Sequence, residues 1–129
     1  MSINGALRAS ASGLFAERMR MDTIASNIAN ANSISTPDQE AFRRQIVLLT
    51  SDENGVKIDQ ILPDQSRLRA VPEPDNPFAD EDGMVYYSNV NPIIEMVDLM
   101  TATRTYEANV AAFNSAKGMM RAAMNIGKV

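Results

Sequence analysis

The stretch from Asn89 to Ile126 constrains this chain more than any other, because it reads as one long amphipathic helix. Asn91 offers a side-chain oxygen to the free N–H groups of a first turn. Pro92 suits the first helical position, where its missing N–H costs nothing. Glu95 and Asp98 follow where the helix dipole favours acids, and they read as dipole partners rather than an acid–base pair. Apolar residues then recur in alternating steps of three and four: Met96, Leu99, Tyr106, Val110, Phe113, Met120 and Met124, interrupted only by Thr103 and Lys117. After Pro92, no glycine or proline occurs before Gly118. A heptad stripe kept over about four heptads predicts a coiled-coil seam. At about 1.5 Å per residue such a helix runs on the order of 50 Å. A rod of that length cannot cover its own stripe, so a second long helix must meet it.

The partner is expected at the other end of the chain. From Ser2 to about Asn32, Leu7, Leu14, Met21 and Ile28 fall seven apart. Ala11, Ile24 and Ala25 flank them, and Arg8, Arg18, Arg20 and Asp22 cover the other sides. The small residues Ala9, Ser10, Ala11, Ser12 and Gly13 would let a partner helix come close. They also weaken the helix in isolation, with Gly13 alone costing roughly 1 kcal/mol against alanine. The helix is therefore expected to depend on its partner. The Asn-rich run from Ala25 to Ser33 ends it, and Pro37 forbids continuation.

Between the arms the pattern changes. Phe42 to Thr50 contains the β-compatible run Ile46-Val47-Leu48-Leu49. Asn54-Gly55 is a strong turn signal, and Val56 to Leu62 alternates before slipping by one at Ile61. A hairpin is expected there. Leu68 to Val71 adds a short strand, Pro72 to Pro77 is a loop, Asp80 to Gly83 a turn, and Met84-Val85-Tyr86-Tyr87 a last strand. The fold class that follows is mainly α. Long N- and C-terminal helices pair as an antiparallel coiled-coil hairpin, with a small β-rich module inserted between them. The expected divisions are residues 1–33, 34–91 and 92–129.

Charge follows the same divisions. Residues 1–33 carry three basic and two acidic groups, 34–91 five and eleven, and 92–129 four and three. The acidic excess thus belongs to the middle. A net charge of −4 argues against nucleic acid as a partner. Cysteine and histidine are absent, which removes disulfides, thiolate nucleophiles, imidazole bases and zinc clusters. No window approaches the length of apolar sequence that spans a membrane, and no cleaved secretory signal is expected at the N-terminus.

Little in the sequence promises chemistry. Asp75, Asp80, Glu81, Asp82 and Gly83 suggest a calcium loop only loosely, because the ligand spacing is wrong and Pro77 and Phe78 interrupt it. They read as a solvated acidic loop. Arg43 and Arg44 could anchor an anion but read more simply as exposed strand charge. No cofactor, metal or catalytic group is expected. The stripe residues could be nothing more than an intramolecular core. However, Ile93, Val97, Met100, Ala111 and Ala112 lie on other faces of the same helix, which implies contacts between chains. A helical-hairpin adaptor that binds partners transiently would share these features. An enzyme working through the acidic loop would need carboxylate chemistry that nothing here supports.

The motifs are more specific than the composition. Asn89-Val90-Asn91-Pro92, Glu95-Met96-Val97-Asp98-Leu99-Met100 and the run Arg104 to Asn114 resemble the C-terminal signature of the bacterial flagellar rod and hook protein family. Ser26-Asn27-Ile28-Ala29-Asn30-Ala31-Asn32 is similar to that family's N-terminal motif. The matching positions include Asn27, Asn30, Asn32, Asn89, Asn91, Pro92, Glu95, Tyr106, Glu107 and Asn109. The acidic stretch from Asn76 to Gly83, with Tyr86-Tyr87 after it, looks like a proximal-rod member. Two departures are local. Asp38 to Phe42 follow Thr36-Pro37 where Gly-Tyr-like residues are usual, and Ser88 stands where proline is usual.

The resemblance implies a structural subunit of the basal-body rod. It would be exported by the flagellar type III apparatus without a cleaved signal and would cross the periplasm as part of a hollow drive shaft that transmits torque and forms part of the export channel. Other copies, other proximal and distal rod subunits, and the MS ring and export gate at the base would be its partners, with no membrane insertion. The assembly surfaces implied are Leu7, Leu14, Met21 and Ile28 in one arm and Met96, Leu99, Tyr106, Val110, Phe113, Met120 and Met124 in the other.

Overall fold

The computed structural model describes residues 2–128; Met1 and Val129, the outer bounds of the two arms, lie outside the described residues. Two helices and four strands follow in the order α1 (Ile3–Ala29), β1 (Gln45–Asp52), β2 (Gly55–Pro63), β3 (Arg69–Pro72), β4 (Met84–Tyr87) and α2 (Pro92–Ile126). The mainly α class with a small sheet-like middle stands. The start of α2 falls where expected, and two other boundaries differ modestly. α1 stops at Ala29, and the Asn30 amide Nδ2 donates to the Ser26 carbonyl, which also accepts from the Asn30 backbone N–H. β1 begins at Gln45 rather than Phe42, because the Phe42 N–H is already given to the Ser33 hydroxyl. α2 begins at Pro92, with the Asn91 oxygen accepting from the Ile93 N–H at 3.0 Å as the cap.

The strands form two separate two-stranded sheets. β1 and β2 join through the Glu53-Asn54 turn, where Asn54 N–H donates to the Asp52 carboxylate and Gly55 takes a φ of +129°. β3 and β4 pair antiparallel, Arg69 opposite Tyr87 and Val71 opposite Val85. Ile34 bridges to Tyr87 beside them.

The chain divides into two compact units that interleave along the sequence. One holds the chain up to Met21, Val47–Gln60, and the chain from Met100 onward. Its packing depends on small residues. Gly13, Ala16, Ala102 and Ala116 are buried. A Cβ on Gly13 would stand 2.8 Å from the Asn109 Nδ2, so the tip of the Asn109 side chain occupies the place an alanine methyl would take. The hairpin tip also lies on α1. The Ser12 hydroxyl accepts from the Val56 N–H at 3.1 Å and donates to the Ala9 carbonyl at 2.7 Å. The small run on α1 was expected to face a helix; Ala9 and Ser12 face the β-turn instead, and Gly13 alone of these contacts faces α2.

The other unit holds Asp22–Ile46 and Ile61–Leu99. Ile24, Ala31, Ala41, Val85 and Val90 are its buried apolar residues, and Asn27, Ser88 and Glu95 are buried with them. Ser88 gives its N–H to the Ser33 carbonyl and its hydroxyl accepts from the Val90 N–H. A proline at this position would forfeit the first bond.

Candidate functional site

Two features stand out: a buried polar latch and the exposed flank of α2. The latch starts from Asn27 near the end of α1. Its Nδ2 donates to the Gln45 carbonyl at 3.0 Å, and its Oδ1 accepts from the Gln45 N–H at 2.9 Å. One side-chain amide thus imitates a strand neighbour at the start of β1. Nδ2 also reaches the Glu95 Oε2 at 3.1 Å. The other oxygen of Glu95 accepts from the Arg44 Nε. Glu95 is only 1% exposed, so its charge is tolerable because a guanidinium and an amide both meet it.

Arg44 has more to hold. Its guanidinium lies 3.4 Å from the Asp64 carboxylate and 3.7 Å from that of Asp98. Its backbone N–H donates to the Asn89 Oδ1 at 2.7 Å, while the Asn89 Nδ2 donates to the Asp64 and Ser66 carbonyls. The Ser66 backbone N–H, with the Arg44 guanidinium beside it, holds the Asp64 carboxyl below its usual range against the opposing effect of burial. Neighbouring Arg43 pairs with Glu40 and donates to the Asp64 and Ser66 carbonyls. The expectation of exposed strand charge for Arg43 and Arg44 is therefore corrected, since both guanidinium groups fasten loops. Glu95 and Asp98 are likewise more than dipole partners. Sequence reasoning raised Arg44 as an anion anchor only to set it aside and did not single out Asp64, because nothing local in the sequence marks which arginine meets which carboxylate tens of residues away.

The motif residues sort by role. Asn27, Asn89 and Glu95 build the latch, Asn30 and Asn91 serve helix ends, and Pro92 opens α2. Asn109 faces Gly13. Tyr106 is half-buried, and Glu107 and Asn32 are exposed.

The stripe residues occupy two kinds of place. On α2 the line turned inward runs Glu95, Leu99, Ala102, Tyr106, Asn109, Phe113, Ala116, Met120, again in steps of four and three. The expected seam shares Leu99, Tyr106, Phe113 and Met120 with it, all half-buried. At the alternate positions the inward residues are one step earlier. Met96 and Val110 are consequently exposed, Met96 by 54%, and Met124 is 61% exposed near the end of the helix, where Ala123 beside it is exposed as well. Leu7, Leu14, Met21 and Ile28 on α1 are half-buried, each one position after Ala6, Gly13, Arg20 and Asn27. Gly13 and Asn27 are buried beside Leu14 and Ile28, while Ala6 and Arg20 are half-buried like Leu7 and Met21. Ile93, Ile94 and Val97 are exposed as well, Ile93 by 74%.

The acidic turn is a built structure. The Asp80 carboxylate accepts from the N–H groups of Asp82 and Met84 and from the Tyr86 hydroxyl. The Met84 N–H above all, with the other two donors, holds that carboxyl below its usual range despite burial, and Asp80 in turn pushes the Tyr86 hydroxyl up. Among the described residues no group of acids is arranged to hold a metal ion. No described helix is long and apolar enough to cross a membrane.

Known proteins match both ends and the whole. Residues 7–33 match the family described as flagella basal body rod protein, and residues 81–126 match the C-terminal family of the flagellar basal body rod FlgEFG proteins. The flagellar basal-body rod protein FlgC of Bacillus subtilis is 39% identical over 95% of this chain and 96% of its own length. FlgC of Aquifex aeolicus is 42% identical over 91% of each chain, and FlgC of Salmonella typhimurium 37% identical over 91% of this chain and 92% of its own. With likeness over nearly the whole length, the chain belongs to the FlgC family of flagellar basal-body rod proteins.

Proposed function

We propose that this rod protein is a non-enzymatic subunit that stacks helically, with copies of itself and with other rod proteins, into the hollow proximal part of the drive shaft. Family membership supports the setting. The observation that carries the assembly reading is the exposed apolar flank of α2, where Met96, Val110 and Met124 continue a heptad stripe that the chain does not cover. Apolar surface in such a line is shielded by a neighbouring helix more readily than by water. Contacts of this kind repeat head to tail and generate a helical array.

Two contacts support the antiparallel pairing of the arms. Gly13 faces Asn109 in one unit, and Asn27 meets Glu95 in the other, so within each unit α1 touches α2. In this reading 1–33 and 92–129 are the inner arms and 34–91 faces outward. Leu7, Leu14, Met21 and Ile28 pack the shoulder of the pair. The arms order fully only on assembly. Export through the type III apparatus without a cleaved signal, passage across the periplasm, transmission of torque, and contact with distal rod subunits, the MS ring and the export gate belong to the same proposal.

The test is Val110→Asp, introduced in a motile host that depends on this chain. Val110 is exposed in the single chain, so circular dichroism of the purified variant should match the wild type while rods fail to form and motility is lost. Normal motility with Val110→Asp would overturn the assembly surface.

A further inference from the structure

Beside the start of α2 lies a cleft of about 450 Å³, lined by Ala31 and Asn32, by Arg67 and Arg69, and by Ser88 to Pro92. We infer that this cleft is a docking site for acidic side chains, and that its occupant is the Glu81-Asp82 turn of a second copy of this chain.

The cleft carries positive charge without a counter-ion. Arg67 and Arg69 are exposed, no acid lines the cleft, and neither arginine forms an ion pair among the described residues. The Arg69 guanidinium sits 4.8 Å above the Tyr87 ring, which fixes its position and leaves its N–H groups available. Its floor is held firmly, because the Asn89 side chain is committed to Arg44 and to the Asp64–Ser66 loop. Two guanidinium groups and an exposed Asn32 amide on a firm floor are chemistry for carboxylates.

The same chain presents those carboxylates. Its acidic excess is concentrated in residues 34–91. Asp80 spends its oxygens inside the turn, which leaves Glu81 and Asp82 exposed beside it, neither in an ion pair among the described residues. The Asp80 hydrogen bonds close the turn before it binds, so its backbone needs little ordering on docking. Cleft and turn are different surfaces, so their contact between copies is head to tail and can repeat. This inference rests on the rod reading and adds a named contact to it.

The absence of cysteine makes the test direct. Asn32→Cys and Glu81→Cys are introduced in separate copies of the full chain and expressed together in a host that assembles rods. Mild oxidation should give a disulfide between two chains in isolated rods, and neither variant alone should give it. Adding Asp82→Lys to the Glu81→Cys copy should cut the yield by about tenfold, the loss of one favourable charge contact in a partly desolvated site. Arg67→Glu should do the same. If the arginine variant fails to fold by circular dichroism, the turn variant still decides, since its site is an exposed loop. Rods that contain both copies without the disulfide overturn this contact and leave the rod reading standing. If the chain enters no rod, the rod reading falls and this contact with it.

Discussion

The two compact units hold their segments of α1 and α2 by opposite means. Around Asn27 and Glu95 the contact is polar, charged and buried, and it draws in Arg44, Asp64, Asn89 and the start of β1. Around Gly13 and Asn109 it depends on missing volume, with the hairpin tip laid on Ala9 and Ser12. The first kind is directional and admits few alternatives. A buried carboxylate that needs both an amide and a guanidinium fixes which residues face each other. The second kind is permissive in direction and strict in size. A chain proposed to thread through an export channel and then assemble gains from this difference. The latch sets register, while the small-residue contact lets neighbouring helices come close.

The comparison breaks most visibly at Glu95. Glu95→Ala leaves Arg44 and Asn27 facing a buried gap and should destabilise the chain by roughly 3 kcal/mol in urea unfolding followed by circular dichroism. Adding Arg44→Met to Glu95→Gln should return part of the loss, which would show coupling between the two; simple additivity would show the latch to be a set of independent contacts.

The strict-in-size side is sharpened next. Gly55→Ala places a Cβ 2.3 Å from the Ser12 hydroxyl oxygen at a backbone φ of +129°. It should cost about 2 kcal/mol, and Ser12→Gly in the same chain relieves only part of it, because the Ala9 Cα at 3.0 Å and the positive φ remain. At Gly13 the outcome depends on the neighbour. Gly13→Ala alone should change stability little, because the gain in helix propensity, about 1 kcal/mol, offsets displacement of the Asn109 side chain. Gly13→Ala with Asn109→Ala should then be the more stable variant. If the double variant is worse than Gly13→Ala, the contact is held by the asparagine's hydrogen bonding and not by its size.

Smaller still is the loss of one hydroxyl. Ser12→Ala removes the acceptor for the Val56 N–H and should cost about 1 kcal/mol. The smallest effect is a matter of pH. Asp64 is held below its usual range in the folded chain, chiefly by the Ser66 N–H and also by Arg44. The unfolded chain therefore takes up this proton at a higher pH than the folded one does. The stabilisation is complete above the usual carboxylate range and fades as pH falls through the lowered folded value. Asp64→Asn should be less stable at neutral pH and should lose less on acidification; parallel pH curves for variant and wild type would remove Asp64 from the account.

Particular residues show what could be read from the chain. Asn91-Pro92 marked the start of α2 to within a few residues, and Asn54-Gly55 marked the hairpin, because capping and turn geometry are local properties. The heptad period was legible too. Its phase was only half legible. Leu99, Tyr106, Phe113 and Met120 lie on the inward line, but the alternate positions belong to Glu95, Ala102, Asn109 and Ala116. A hydrophobic pattern points to bulky residues, and here the closest positions are taken by residues chosen for smallness or for a hydrogen bond. Arg44 could be read as an anion anchor but its partners could not, since Asp64, Glu95 and Asp98 become its neighbours only after the strand and both loops are placed.

The sequence by itself determined the two long helices, the hairpin, the absence of thiol and imidazole chemistry, and a family signature carried at both ends. Each depends on neighbours along the chain or on composition. Only the tertiary structure decided which face of each helix turns inward, that a charged carboxylate sits among buried groups, and which apolar residues stay uncovered. Those outcomes depend on distances between segments far apart in sequence, where a one-residue change of phase moves a methionine from the seam to its flank at no cost to the helix that carries it.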